Sequence, residues 1–237
     1  MASTLDEAGT GAATARTADA AEADAPADAS SAAPSDGALD ATPLTERSRQ
    51  KADRRAAILG AAATLFAERG YAGVTIEDLG AAVGVSGPAV YRHFPGKAAV
   101  LAAILQGASR SLLDGAERVL ASAEEPRDAL RALIRFHVDF ALGEADVIVV
   151  QDRELGQLDR GARHEVRSLQ RRYVEHWVDT LSRLRPDRAE AELRFRAHAA
   201  FGLLNSTPHS ARIPGRRPAD GTIRGILEEM AWASLMS

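Results

Sequence analysis

The chain contains no cysteine, which excludes disulfides, thiolate metal sites and a cysteine nucleophile. Its six histidines could still supply metal ligands or a base, but no two stand four residues apart, the spacing that would set a metal-binding pair on one helical face. His164-Glu165 begins like a zinc-protease motif, yet the position of the second histidine is Ser168. Gly84-Val85-Ser86-Gly87-Pro88 is a partial nucleophile elbow without its last glycine and without a preceding strand. With no glycine-rich phosphate loop either, the expectation is no enzyme: no catalytic residue, no metal and no cofactor. What the residue types offer instead is recognition of a polyanion. Arg47, Arg49, Lys51, Arg54 and Arg55 crowd one short stretch, and Tyr91-Arg92-His93 with Lys97 form a second basic and aromatic group.

The net charge of -4 conceals a division along the chain. Residues 1–43 hold eight acids against the single Arg16, residues 44–100 hold eight bases against five acids, and the remainder is balanced. The basic excess therefore falls in the segment that carries both groups. Residues 1–44 form an Ala/Asp-rich tail with Leu5, Leu39 and Leu44 as its only large aliphatic residues, a composition expected to be disordered. No stretch approaches the roughly 18 apolar residues of a membrane helix, and no leader of basic then apolar residues opens the chain. The expectation is a cytoplasmic protein with no membrane partner.

From residue 45 onward the hydrophobic spacing is helical. Helix 1 is expected over about Ser48–Arg69, with Ile58, Ala61, Ala62, Leu65 and Phe66 on one face and Gly70 ending it. Thr75 and Asp78 have the spacing of a capping box, Ile76, Leu79 and Val83 point inward, and Gly84 suits a sharp left-handed exit. Ser86 is placed as the next N-cap, with Pro88 in the first turn of a short helix over about Gly87–His93. Val85, Val90 and Phe94 anchor that helix, and Gly87, Pro88, Ala89, Tyr91, Arg92 and His93 are left facing outward. In a helix-turn-helix such a second helix enters the major groove. Lys97, at the start of the following helix, is a natural phosphate clamp, and the early bases suit the DNA backbone or minor groove.

The run Thr75-Ile76, Asp78-Leu79, Ala82, Gly84-Val85-Ser86 and Tyr91-Arg92-His93-Phe94-Pro95-Gly96-Lys97 resembles the DNA-binding domain of the TetR family of transcriptional regulators. The ending Tyr-x-His-Phe-x-x-Lys is the most specific part, and the likeness covers about residues 50–100. Ala98-Ala99 departs from the acidic pair often found there, and Gly80 from the usual alanine. The resemblance implies that Thr75, Ser86, Gly87, Tyr91, His93 and Lys97 touch operator DNA. It also implies an all-α fold: a three-helix DNA-binding domain over 45–96 and a helical ligand-binding and dimerisation domain over 97–237. The implied function is a homodimeric repressor, released from operator DNA by a small-molecule inducer.

Beyond residue 100 helices are expected from Gly96 to Ala121, from Pro126, over Ala162–Leu184, over Asp187–Asn205 and over Ala219–Leu235. The apolar run Val147–Val150 fits a buried helix better than a strand. A Pro- and Arg-rich loop from Thr207 to Pro218 carries Arg212, Arg216 and Arg217. Polar residues on apolar helical faces are the candidate pocket lining: His137, Gln151, Arg153, Gln170, Tyr173, Trp177, His198 and Asn205. Arg153 would pair with a carboxylate or phosphate, pointing to a lipid-derived acid or an acyl thioester as inducer. Ala197, Ala200, Phe201 and Leu204, with Ile226, Leu227 and Met230, form faces that either close a core or meet a partner chain, and the resemblance favours the dimer. An architectural DNA binder without a ligand is the third reading, and it requires a filled C-terminal core.

Overall fold

A computed structural model describes residues 46–207 and 218–237, and every regular element among them is helical. The expected tail and most of the expected 207–218 loop, with Arg212, Arg216 and Arg217, lie outside the described residues. Helix α1 runs over Glu46–Arg69 and buries Ile58, Ala62, Ala63, Phe66 and Ala67. Gly70 stops it at φ 73°, donating its amide to the Phe66 carbonyl at 2.9 Å. Helix α2 (Ile76–Ala82) opens on the expected capping box: the Asp78 amide donates to the Thr75 hydroxyl at 3.1 Å and the Thr75 amide to Asp78 Oδ2 at 2.8 Å.

The turn after α2 explains two glycines. Gly84 takes φ 68°, a left-handed conformation that a side chain would strain. A Cβ on Gly80 would lie 2.7 Å from the Val85 carbonyl oxygen, so its departure from alanine coincides with a close backbone approach. Helix α3 is shorter than expected, Gly87–Val90, with Tyr91–His93 continuing as turns closed by bonds to the Ala89 and Val90 carbonyls. Ser86 holds the N-cap position, but its hydroxyl makes no capping bond.

Helices α4 (Lys97–Ala121), α5 (Pro126–Gly143), α6 (Ala145–Glu154), α7 (Arg160–Leu184), α8 (Glu190–Leu204) and α9 (Asp220–Met236) follow, with a short 3-10 turn at Leu155–Gln157. The Val147–Val150 run is helical and buried, as its flanking polar residues suggested. The described residues form two apolar cores. The first joins α1–α3 to the first half of α4, to Val147, Val149 and Val150 of α6, and to Val166 of α7. The second packs the rest of α4 with α5, α7, α8 and α9 around Trp177. Phe136 of α5 lies so close to α4 that its ring occupies the space a Cβ on Gly115 would need. Polar ties fix α6 to α1 and to the link that follows it: the Thr64 hydroxyl donates to Asp146 at 2.8 Å, Arg153 Nη1 to the Ala67 carbonyl at 3.1 Å, and the Tyr71 amide to Glu154 Oε1 at 3.1 Å. No helix among the described residues is long and apolar enough to cross a membrane.

Candidate nucleic-acid interface and effector cluster

The segment after the turn is anchored from beneath and open above. Val90 and Phe94 are buried, while Ser86, Pro88, Tyr91 and Arg92 are exposed and Ala89 and His93 half-buried. Tyr91 leaves 54% of its surface in solvent, although a core of apolar side chains lies directly below it. Gly87, expected on the outer face, is buried beneath Glu77, whose Oε1 would be 3.2 Å from a Cβ there. Lys97 also departs from expectation. Its ammonium donates to the Tyr71 and Val74 carbonyls, both at 2.7 Å, and lies over the Tyr71 ring, because those carbonyls sit in the irregular link between α1 and α2 with no helical donor of their own. The side chain thus braces the helix-turn-helix rather than projecting as a clamp. The Thr75 hydroxyl is likewise taken up by Asp78, and the hydrogen bonds from the Thr75 amide, first, and from its hydroxyl hold the Asp78 carboxyl below its usual range.

Arg47, Arg49, Lys51 and Arg54 are exposed on the first turns of α1. Arg54 donates to the Val83 carbonyl at 3.3 Å, and the Arg55 guanidinium stacks on the Phe94 ring, so α1 grips the helix-turn-helix from both sides of its turn. Arg49 pairs loosely with Glu46 at 3.5 Å, and among the described residues Arg47 and Lys51 have no acidic partner.

Half of the expected pocket residues converge in the second core. His137 Nδ1 lies 2.8 Å from the Tyr173 hydroxyl and Nε2 3.0 Å from Asn205 Oδ1, and its ring stacks on Tyr173 and on Phe201. Trp177 meets His137 and Phe201 edge-on. Burial pushes His137 down to about 4, so its imidazole is neutral at pH 7, and burial pushes the Tyr173 phenol up. The nearby indole N–H of Trp177 opposes that rise, yet it has no hydrogen-bonded partner among the described residues. The other half do not join this cluster. Arg153 is exposed and engaged by the Ala67 carbonyl, because α6 packs along α1 in the first core; it therefore cannot receive an acid in the second core. His198 is exposed on the far side of Phe201. Gln151 and Gln170 are half-buried, with no hydrogen bond to the cluster.

Comparison with known proteins bears on both halves. The family model "Bacterial regulatory proteins, tetR family" matches residues 58–104, which carry the helix-turn-helix, and the model "Tetracyclin repressor-like, C-terminal domain" matches residues 123–221. The chain belongs to the TetR family. As a TetR-family protein it is a DNA-binding transcriptional regulator and not an enzyme. It is 29% identical over 140 residues to the HTH-type transcriptional repressor KstR2 of Rhodococcus jostii, a match covering 59% of this chain and 69% of that protein. A TetR-family regulator from Bordetella parapertussis superposes with a TM-score of 0.66 at 26% identity, over 77% of this chain and 92% of that one. AibR, solved in complex with isovaleryl coenzyme A and operator DNA, shares the fold with a TM-score of 0.63 at 21% identity, over 75% of this chain and 97% of that one.

In this TetR-family chain the residues expected at a partner interface divide between two faces. Ala197, Ala200, Leu204 and Leu227 are buried within the subunit, and Phe201 covers the ring cluster, because these positions share the side of α8 and α9 that packs on α5 and α7. Ile226 and Met230 point the other way and remain exposed. Phe195, which the hydrophobic spacing did not single out, is the most exposed of the large apolar residues among those described, at 74%. A signal for it exists in the sequence: Phe195, Ala199 and Gly202 fall on one side of α8, opposite Ala197 and Ala200.

Proposed function

We propose that the chain is a homodimeric repressor that reads operator DNA with residues 45–96 and is released by a small molecule taken up within residues 97–237. The observation that carries the reading is the exposure of Tyr91 and Arg92 on a short segment anchored from below by Val90 and Phe94. Side chains so placed suit a groove and its flanking phosphates. Ser86, Pro88, Ala89 and His93 would flank them. Arg47, Arg49, Lys51 and Arg54 would follow the backbone. At the start of α4 the helix N-terminus is available to a phosphate, since Gly96 offers no capping side chain.

Dimerisation would use the exposed stripe of Phe195 on α8 with Ile226 and Met230 on α9, which a second copy would cover about a two-fold axis. The effector would enter at His137, Tyr173, Trp177 and Asn205. An acyl thioester is the favoured class, in keeping with the coenzyme A ester held by AibR. The test is a gel shift on the promoter of the chain's own gene, repeated with a panel of acyl thioesters. A shift reversed by one of them supports the proposal, and protein that leaves the fragment unshifted at low salt opposes it.

A further inference from the structure

The hydrogen atoms of the His137 cluster can be assigned one by one. Asn205 turns Oδ1, an acceptor, toward His137 Nε2, so that nitrogen carries the ring's single proton. His137 Nδ1 must then accept, and the Tyr173 hydroxyl donates to it. Both groups at the heart of the cluster are thereby satisfied. One buried donor is left over, the indole N–H of Trp177, a residue with no exposed surface; the amide nitrogen of half-buried Asn205 also lacks a partner among the described residues, but it is open to solvent. The buried part of the cluster is therefore one acceptor short. It is also without charge, since burial keeps the imidazole neutral and Arg153 is held elsewhere by the Ala67 carbonyl.

Phe201 forms the partly exposed edge of this arrangement. It is half-buried, stacks on His137 and Tyr173, and abuts Trp177 with ring centroids 5.0 Å apart. A flat or linear apolar body could occupy the place of that ring and keep the packing it provides.

Resting on the effector reading above, we propose that the effector presents an uncharged acceptor, the carbonyl oxygen of a ketone, ester or thioester, to the Trp177 indole N–H and the Asn205 amide while its apolar body displaces the Phe201 ring. A free carboxylate is rejected, because it would enter a buried site that holds dipoles and no cation. The lipid-derived acid suggested by Arg153 gives way to its esters.

The test uses the full chain, labelled with nitrogen-15 and carrying Trp232→Phe, so that Trp177 supplies the single indole resonance. The probes are 2-nonanone, methyl octanoate, octanoate and nonane at pH 7.5, with the thermal midpoint measured in parallel. The ketone and the ester are expected to move the Trp177 indole proton saturably and to raise the midpoint, with octanoate and nonane binding about tenfold more weakly. Asn205→Leu, which leaves Trp177 in place, should weaken the ester by a similar factor. Octanoate binding as well as its ester would overturn the proposal, as would a midpoint raised without movement of the indole resonance. Either result would leave the effector reading standing. Probes that change neither quantity would also overturn the proposal, and the promoter gel shift decides the wider reading separately.

Discussion

The Lys97 ammonium lies 2.7 Å from the carbonyl oxygen of Tyr71 and 4.4 Å from the centre of its ring. The Tyr71 amide meanwhile donates to Glu154 Oε1 at the end of α6. One residue of the α1–α2 link is thus held from two sides, by the first residue of α4 and the last of α6. The orientation of the helix-turn-helix depends on elements that belong to the rest of the molecule.

Lys97→Met removes two charge-assisted hydrogen bonds to carbonyls, and should cost about 1.5–3 kcal/mol of stability in a denaturant titration. It should also lower DNA affinity equally at every salt concentration. If Lys97 instead touched a phosphate, its removal would reduce the slope of log affinity against log salt by about 0.9, with stability unchanged. That pattern would restore the clamp.

Tyr91→Ala and Arg92→Ala act at exposed positions, so the melting profile should move by no more than about 0.5 kcal/mol. Operator affinity should fall by about 1–3 kcal/mol for each of the two truncations. Variants that bind DNA normally would place the interface elsewhere.

His137 gives stability a definite pH dependence. Its folded value is about 4 against an ordinary 6.5, so below 6.5 the unfolded chain takes up a proton that the folded chain refuses. Stability from this group is complete above that value and is lost as pH falls toward 4, by roughly 3 kcal/mol over the window. Urea titrations at steps from pH 7 to 4.5 should show the decline, and His137→Gln should flatten its share. An unchanged slope in that variant would mean that the imidazole is charged, or open to water, in the folded protein.

Phe195→Glu and Met230→Glu place charges on the exposed apolar stripe without touching either core. Sedimentation should show a dimer for the parent chain and monomer for the double variant, with helicity retained. A parent chain that sediments as a monomer, or a double variant that stays dimeric, would refute the assigned face.

Much of the architecture was legible because it depends on local rules. The capping box at Thr75, the left-handed Gly84 and the boundaries at Gly70 and Pro126 are decided by residues a few positions apart, and the structure places them as expected. What was not legible depends on three-dimensional neighbours. Lys97 is exposed or engaged according to where two distant carbonyls lie, and Arg153 according to which helix α6 packs against. Buried and exposed apolar stripes on α8 look alike in sequence. Ala197 and Phe195 differ only in which side meets α7, and nothing in the spacing tells the inner face from the outer. His137, Tyr173, Trp177 and Asn205 stand out as polar residues on apolar faces, and that criterion finds the cluster but cannot separate it from Gln151 or His198.

The most direct measurement is a hydroxyl-radical footprint on the promoter of the chain's own gene, comparing the parent chain with the Tyr91→Ala, Arg92→Ala double variant. The account predicts two symmetric protected stretches on one face of the duplex, with centres one helical turn or a small multiple of it apart, about 34–36 Å per turn. Both should vanish in the double variant. Protection that survives the double substitution, or a single asymmetric stretch, would contradict it.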